Sequence, residues 1–399
     1  MGRVYIVDED VEEYLSKLCS QQAGPVTGLL IGQSSGQRDF VVIAAPTPKD
    51  EESAGKTVDK EWVSEHARQV SRMLLGGLTV LGVFMITDAD AKDTITTLRQ
   101  LVFAVENLIS SEQKWSPAED DVTDCVTLHV NPKTRKYPFF NSAAKPADLK
   151  YQSGVGSCWT TVSCWLNVDL LIPLPDSRAS KENSQKGLKV WTRQIENAVC
   201  LIDGKKLPED SELTSGQVVS KRQDLFDKKA LSEIISKPRS ADVVQPCGGS
   251  VTVRGAVHCR AFLHTHKPKV KLAEKVLLKR DAISTVATRV QMLLDEPLAS
   301  EEQIKDFSER ENCPEFCLPR RIFCPLKSSG SLYVCDYQFS DEGLSEIVDR
   351  LKEMLGVDTA EEDLDTTQEM TAEITQGAFM AAAAALLATA ASMMYYSDM

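Results

Sequence analysis

The 399-residue sequence lacks an excess of positive charge, since its 45 Lys and Arg residues are outnumbered by 58 Asp and Glu residues. This balance disfavours a dedicated nucleic-acid binder, which needs a concentrated basic face. The 11 cysteines show no framework spacing, and the N-terminus has no apolar signal-peptide stretch. We therefore expect a protein that is not secreted and keeps its thiols reduced. No glycine-rich phosphate loop or Gly-x-Ser-x-Gly elbow is present, so no cofactor is predicted.

The first 204 residues alternate apolar runs with amphipathic segments, a pattern typical of a mixed α/β or α+β domain. Strands are predicted at residues 3–7, 26–32, 40–44, 78–86, 125–130 and 160–172, and helices at 9–18, 62–74 and 94–109. Residues 205–240 are polar and lack a periodic apolar face, which predicts a mobile insertion or linker.

A second α+β portion is predicted over residues 241–356. Its strands are expected at residues 250–264, 321–325 and 331–339, and its helices at 270–294 and 342–355. Negative charge is concentrated after it, because residues 341–373 contain 12 acidic and two basic residues, a net charge of −10. Residues 357–373 are therefore predicted to form a solvated, self-repelling acidic tether that holds the body off an anionic membrane surface.

Residues 374–397 contain no charged side chain. As a helix they would span about 36 Å, enough for a hydrocarbon core of about 30 Å. We predict a single transmembrane tail anchor, with the body in the cytosol and a short lumenal C-terminus. The anchor positions are Ile374, Gly377, Phe379, Leu386, Leu387, Met393, Tyr395 and Tyr396, of which the two tyrosines would lie at the interface. A packed soluble helix is the alternative, because nine of the 24 residues are alanine.

Gln152 and Cys158, the latter followed by Trp159, resemble the signature of the papain family. In that family the cysteine is the nucleophile and the glutamine helps to form the oxyanion hole. The β-branched residues that follow Cys158 predict a strand where papain-like enzymes have a helix. We therefore interpret Cys158 as part of a turn that leads into a strand, with Trp159 packed inward, and we assign no catalytic residue.

His258, His264 and His266 would share one face of an unbroken strand, where they could chelate a metal ion. We favour solvated histidines near a strand end, because no Asp of the kind that completes a JAMM metal site follows them. The basic cluster that begins at Lys267 and ends at Arg280 is interpreted as a solvated helix face rather than a lipid or nucleic-acid contact.

Four cysteines suggest a structural zinc site: Cys313, Cys317, Cys324 and Cys335. Zinc prefers two tight Cys pairs, and only the first two of these cysteines are spaced in that way. Cys324 and Cys335 lie in apolar segments, where a buried reduced thiol is ordinary. We therefore predict no metal.

Several segments resemble the odorant-response-abnormal protein 4 family over most of the chain. They are residues 1–7, 28–33, 61–62, 65–67, 69–74, 81–84, 150–154, 268–271 and 335–337, and the hydrophobic tail that ends in Tyr-Ser-Asp. The resemblance implies a protein anchored in the endoplasmic reticulum membrane. It implies association with the cysteine protease that removes the ubiquitin-fold modifier, and with the delivery of odorant and other seven-helix receptors to the cell surface or cilium.

The N-terminal half also resembles an MPN domain, the scaffold of the JAMM metallopeptidases. Alignment of residues 28–32 and 82–84 with that family puts Pro25, Met85 and Thr87 where active members have a Glu base and two His zinc ligands. None of these side chains can serve in those roles. The resemblance therefore implies an inactive MPN-like domain, of a kind that commonly pairs with another MPN domain.

These inferences give one leading hypothesis, a non-enzymatic, tail-anchored adaptor. It would form a heterodimer with the modifier-specific protease and recruit it to the endoplasmic reticulum membrane. The alternative is an escort factor for the trafficking of seven-helix receptors. A thiol or zinc hydrolase is a third hypothesis, for which the required motifs are broken.

Overall fold

A computed structural model shows a mixed α+β protein built on sheets of seven, six and two strands. The described residues are 4–21, 24–35, 38–49, 59–89, 91–115, 125–134, 139–141, 148–155, 159–174, 181–202, 206–213, 229–235, 249–264, 269–273, 279–295, 315–327, 331–366 and 373–376. The α+β class predicted from the sequence is confirmed for this part of the chain.

The seven-stranded sheet has the order β6-β5-β4-β2-β3-β1-β7. Its strands are β1 (Val4–Asp8), β2 (Val26–Ser34), β3 (Arg38–Pro46), β4 (Thr79–Ile86), β5 (Val126–Val130), β6 (Phe139–Asn141) and β7 (Asp148–Gln152). Helix α1 (Glu9–Gln21) covers one face, and helices α2 (Lys60–Met73) and α3 (Ala91–Glu112) cover the other. Burial of both faces explains why the central strands are almost continuously apolar rather than alternating.

The six-stranded sheet has the order β12-β15-β11-β8-β10-β9. Its strands are β8 (Trp159–Leu174), β9 (Val199–Ile202), β10 (Lys229–Ile235), β11 (Gly249–His264), β12 (Glu315–Cys317) and β15 (Glu373–Gln376). β8 and β11 pair antiparallel along all 16 residues of each strand. Helices α4 (Lys181–Glu196) and α6 (Arg280–Asp295) cover one face, and the short helix α5 (Val270–Leu272) lies beside them.

A hairpin of β13 (Arg320–Pro325) and β14 (Tyr333–Gln338) packs against α2 together with helix α7 (Leu344–Leu355). The same apolar core includes Trp159 of β8 and Phe262 of β11. The seven-stranded sheet, the hairpin and one end of the β8–β11 pair therefore share a core, which connects the two large sheets.

Helix α7 ends at Gly356, whose φ of +68° lies in the left-handed region that favours glycine. A β-carbon at this position would lie 3.0 Å from the hydroxyl oxygen of Tyr14 in α1. We expect Gly356→Ala to lower the free energy of unfolding by about 1–2 kcal/mol in a urea titration. Gly356→Asn should cost less, because asparagine tolerates this conformation. If the alanine variant had the same urea midpoint as the parent protein, residue 356 would not be constrained to the left-handed conformation.

The structure differs from the sequence-based domain plan at residue 204. β8, from the predicted first domain, is the full-length partner of β11 from the predicted second portion. β10 lies within the predicted linker, where Leu207 and Leu213 also pack against the core of the six-stranded sheet. The segment predicted as one helix over residues 270–294 contains α5 and α6. Pairing between strands remote in sequence, rather than local composition, determines which sheet each segment joins.

The beginning of the predicted acidic tether lies on the body. The backbone N–H of Asp365 donates to the carbonyl of Phe323 in β13 at 2.8 Å, and the reverse bond is 3.2 Å. The Asp365 carboxylate accepts a bond from Arg260 at 2.5 Å, and Asp363 pairs with Lys327 at 3.0 Å. Arg260 and Lys327 of the body thus offset the mutual repulsion of the acidic residues in this segment. The segment therefore lies against the body and differs from the free spacer that we predicted.

Candidate functional site

Two of the three positions aligned with the metallopeptidase site come together at one end of the seven-stranded sheet. Val26 of β2 pairs with Ile86 of β4, so Pro25 and Thr87 lie one residue beyond this pair, on facing strand ends. Met85 packs instead in the core beside α2 and α3, where it is 4% exposed. The fold therefore brings a proline and a threonine together here, and neither is a ligand that zinc selects.

The polar groups of Thr87 are engaged by its neighbours. Its N–H donates to the carbonyl of Val130 at 3.1 Å, and its hydroxyl accepts the N–H of Ala89 at 3.2 Å. Nε2 of the buried His129 lies 3.3 Å from the carbonyl oxygen of Thr87. Across the described ranges, no three His, Cys, Asp or Glu side chains are placed to hold a metal ion together. The polar groups of Thr87 therefore form hydrogen bonds with neighbouring residues and stabilise the end of β4.

The predicted histidine cluster is not assembled by the described residues. His258 and His264 lie six residues apart on β11, about 20 Å along a strand, and His266 lies outside the described residues. His258 stacks on Trp165 with ring centroids 4.6 Å apart, and His264 contacts the ring of Phe40 with centroids 3.6 Å apart. The two described histidines therefore have separate aromatic environments and are too distant to share one metal ion.

The structure describes only one of the two papain-like positions. Cys158 lies outside the described residues, and Gln152 ends β7 at the edge of the seven-stranded sheet. Trp159 begins β8, pairs in register with His264 and is 6% exposed. The prediction that a strand follows position 158, with its tryptophan packed inward, is confirmed.

Cys324 and Cys335 occupy the hairpin as buried free thiols. Cys335 pairs in register with Phe323, so Cys324 is displaced by one residue and lies on the opposite face. These two cysteines therefore cannot ligate the same zinc ion, and Cys313 lies outside the described residues. Sγ of Cys335 accepts a bond from Nε of Arg321 at 3.1 Å, and burial raises the pKa of Cys335 to about 11. The prediction of buried, reduced thiols is confirmed for this pair.

The junction between the two large sheets has no signal in the sequence. Gln33, in β2, donates from Nε2 to the carbonyls of Gly77 at 2.9 Å and Phe262 at 2.7 Å. Its Oε1 accepts the N–H of His264 at 2.8 Å. Gly76 forms a parallel β-bridge with β11 beside it. One amide side chain thus connects β2 to the end of β11.

A buried ion pair lies at the same junction. Nη1 and Nη2 of Arg321 in β13 each donate to one carboxylate oxygen of Asp281 in α6 at 2.9 Å, and each side chain is 1% exposed. The carboxylate also accepts the N–H groups of Gly76 and Arg260, both at 3.0 Å. Burial alone would lower the pKa of Arg321, but the Asp281 carboxylate raises it well above its usual value. One carboxylate therefore joins α6, β11, β13 and the α2–β4 connection.

His66 of α2 bonds through Nε2 to the carbonyl of Met354 in α7 at 2.8 Å, and burial lowers its pKa. An unfolded histidine takes up a proton near pH 6.5, whereas folded His66 resists protonation. The protein should therefore lose stability as the pH falls below about 6.5. We expect His66→Gln to reduce this loss between about pH 7 and pH 5, measured by denaturant titration. Parallel pH profiles of the two proteins would contradict this assignment.

Large apolar side chains are exposed on five different elements of the described surface. They are Trp62, Phe103, Trp165, Val190 and Leu272. Single exposed apolar residues are ordinary and define no continuous patch. In the basic cluster, Lys269 and Lys271 are exposed, and Nζ of Lys269 lies 3.6 Å from Asp210. These two lysines have the solvated positions predicted for that cluster.

The predicted anchor positions fall mostly outside the described residues. Ile374 lies in β15, opposite Val253 of β11. The remaining positions, Gly377, Phe379, Leu386, Leu387, Met393, Tyr395 and Tyr396, are not described. In the described part of the chain, no helix combines the length and the apolar composition needed to cross a membrane.

The fold defines an α+β scaffold in which the buried carboxylate of Asp281, paired with Arg321, connects the six-stranded sheet to the hairpin and to the α2–β4 connection. The sequence profile of the family "Odorant response abnormal 4-like" matches residues 28–366, and the chain belongs to this ODR4-like family. The protein odr-4 homolog of Homo sapiens is 42% identical over 397 residues, covering 92% of this chain and 86% of that protein. The protein odr-4 homolog of Mus musculus is 41% identical, covering 93% and 87%.

Among solved structures, UfSP from C. elegans is similar with a TM-score of 0.42 and 10% sequence identity. The match covers 90% of this chain and 57% of that chain.

Proposed function

We propose that this chain is a non-enzymatic adaptor, anchored in the endoplasmic reticulum membrane by residues 377–397, which follow β15, with its body in the cytosol. Its partner is the cysteine protease that removes the ubiquitin-fold modifier, with which it forms a heterodimer. Membership of the ODR4-like family supports this proposal. The 21 consecutive uncharged residues from Gly377 to Ser397 supply the proposed anchor, with a helical length of about 32 Å.

The observation that carries the non-enzymatic part is the position of Pro25 and Thr87 on facing strand ends, one residue beyond the Val26–Ile86 pair of β2 and β4. A proline ring cannot act as a general base, and the Thr87 hydroxyl already accepts a backbone N–H. The relation to MPN domains stays a prediction. It supports a pairing role, because an MPN-like surface without its metal chemistry retains the shape through which such domains pair.

Affinity capture from detergent-solubilised membranes tests the partner. A tagged full-length chain should retain the modifier-specific protease in stoichiometric amount. The same chain without residues 377–399, which keeps β15, should retain the protease but fractionate with soluble proteins. Cys158→Ala is the matched control and should change neither capture nor fractionation. Absence of the protease from the full-length eluate would contradict the adaptor function, and loss of capture in the Cys158 variant would favour thiol chemistry.

An escort function for seven-helix receptors is the second candidate. It is favoured by the description of the family as odorant response abnormal. In this case, deletion of residues 377–399 should abolish delivery of a tagged odorant-type receptor to the cell surface. A variant that loses receptor delivery while capturing the protease at the normal level would separate the two functions and favour the escort.

A further inference from the structure

The last described strand, β15, belongs to the six-stranded sheet and directly precedes the segment proposed as the anchor. Asp365 lies beside Arg260, near the end of β11 that contacts the seven-stranded sheet. β15 then pairs antiparallel with β11 and ends with Gln376 opposite Val251, near the other end of that strand. The proposed anchor therefore leaves the body at a defined corner of the six-stranded sheet.

Charge changes abruptly near this corner. Arg254 of β11 pairs in register with Asp169 of β8 on one side and with Glu373 of β15 on the other, which forms a row of three charged residues. Beyond this row the three strands are uncharged to their ends. The uncharged stretches are residues 170–174, 249–253 and 374–376. The edge strand β12 places one acidic residue, Glu315, at this level, opposite Thr375.

The seven-stranded sheet is attached at the opposite end of β11. Gly76 bridges to Ala261, and Gln33 bonds to the backbone of His264. Ten residues separate Ala261 from Val251, which corresponds to about 33 Å along a strand. Because β8 pairs with β11 over this whole length, the intervening part of the sheet is a continuous two-stranded core rather than a flexible connection.

We propose that the uncharged ends of β8, β11 and β15 form a membrane-facing surface that rests on lipid headgroups. The β8–β11 pair then acts as a rigid spacer that holds the seven-stranded sheet about 33 Å farther from the bilayer. This inference rests on the proposed function, because it requires the anchor to be inserted. Strand ends without charged residues lose little hydration free energy when they approach the membrane beside the end of β15. The row of three charged residues lies farther from the membrane and keeps its hydration. Unpaired strand backbone is not stable in hydrocarbon, so the surface lies at the interface.

Energy transfer to labelled lipid tests the orientation. The full chain is reconstituted in phosphatidylcholine vesicles that contain an acceptor-labelled phosphatidylethanolamine. A fluorescent amino acid replaces either Ser250, at the uncharged end, or Lys17, on the exposed side of α1 in the seven-stranded part. We expect the transfer efficiency from position 250 to be several times that from position 17. Equal efficiencies in vesicle-bound protein would overturn the orientation and leave the anchor proposal intact. A chain that does not float with vesicles overturns both.

An insertion after β15 tests whether this strand holds the body close to the membrane or whether the anchor alone is sufficient. Ten Gly and Ser residues placed directly after Gln376 add a flexible link of about 16–19 Å. This variant should float normally but lose most of the transfer from position 250. The same insertion at Gly24, where the β-carbon position is open, is the matched control and should leave the transfer unchanged. Full transfer in the Gln376 insertion would show that β15 does not set the exit point.

Discussion

Replacement of Arg321 by methionine should lower the free energy of unfolding by about 3–5 kcal/mol. The substitution removes both bonds to Asp281 and leaves its carboxylate buried, 1% exposed, without a cation. The remaining bonds to the N–H groups of Gly76 and Arg260 cannot replace a full positive charge. Urea denaturation of the purified body measures the effect.

Two variants make this test specific. Arg99→Met removes an exposed arginine of α3 and should change stability by less than about 0.5 kcal/mol. The double variant Asp281→Asn with Arg321→Met removes both charges and should recover part of the loss, because a neutral amide still accepts a backbone N–H. An Arg321 variant within about 1 kcal/mol of the parent would contradict the junction described above.

Gly82→Ala should be the second severe substitution. Gly82 of β4 lies against β5, and a β-carbon here would be 1.8 Å from the carbonyl oxygen of Val126 and 2.7 Å from its carbonyl carbon. Backbone atoms cannot rotate away as a side chain can, so the parallel β4–β5 pair must separate locally. We expect a loss of about 3 kcal/mol or more, or loss of soluble protein.

The matched control for Gly82 is Gly24→Ala, where no atom lies within 4 Å of the added β-carbon. This variant should unfold at the parent's midpoint. Amide exchange across β5 gives a second readout, since local separation should expose the Val126–Val130 amides before the rest of the sheet. Normal protection of β5 in the Gly82 variant would show that the strands can accommodate a side chain.

Local pattern predicted much of the fold. The apolar runs at residues 78–86 and 250–264 and the spacing of Val63, Ala67 and Val70 gave elements that match β4, β11 and α2 closely. The spacing of apolar residues along a segment indicates which side chains face a core. It does not indicate which of several cores the segment joins. The pairing of β8 with β11 was therefore not predicted, and neither was the interleaving of the two portions at residue 204.

The candidate sites illustrate the same limit. The apolar segments around Cys324 and Cys335 correctly predicted two buried thiols, which the register of the hairpin places on opposite faces. The pair of Asp281 and Arg321 was not predictable, since its members are 40 residues apart and have no periodic signature. The position of Asp365 was missed for a related reason. Net charge predicted repulsion, whereas the fold provides Arg260 as a specific partner.

The most direct test of the adaptor function is membrane fractionation of the modifier-specific protease in cells that express either the full chain or the chain without residues 377–399. With the full chain, both proteins should sediment with endoplasmic reticulum membranes. With the truncated chain, both should move together to the soluble fraction while their mutual capture is unchanged. A protease that stays at the membrane with the truncated chain, or that is soluble with the full chain, would contradict the proposal.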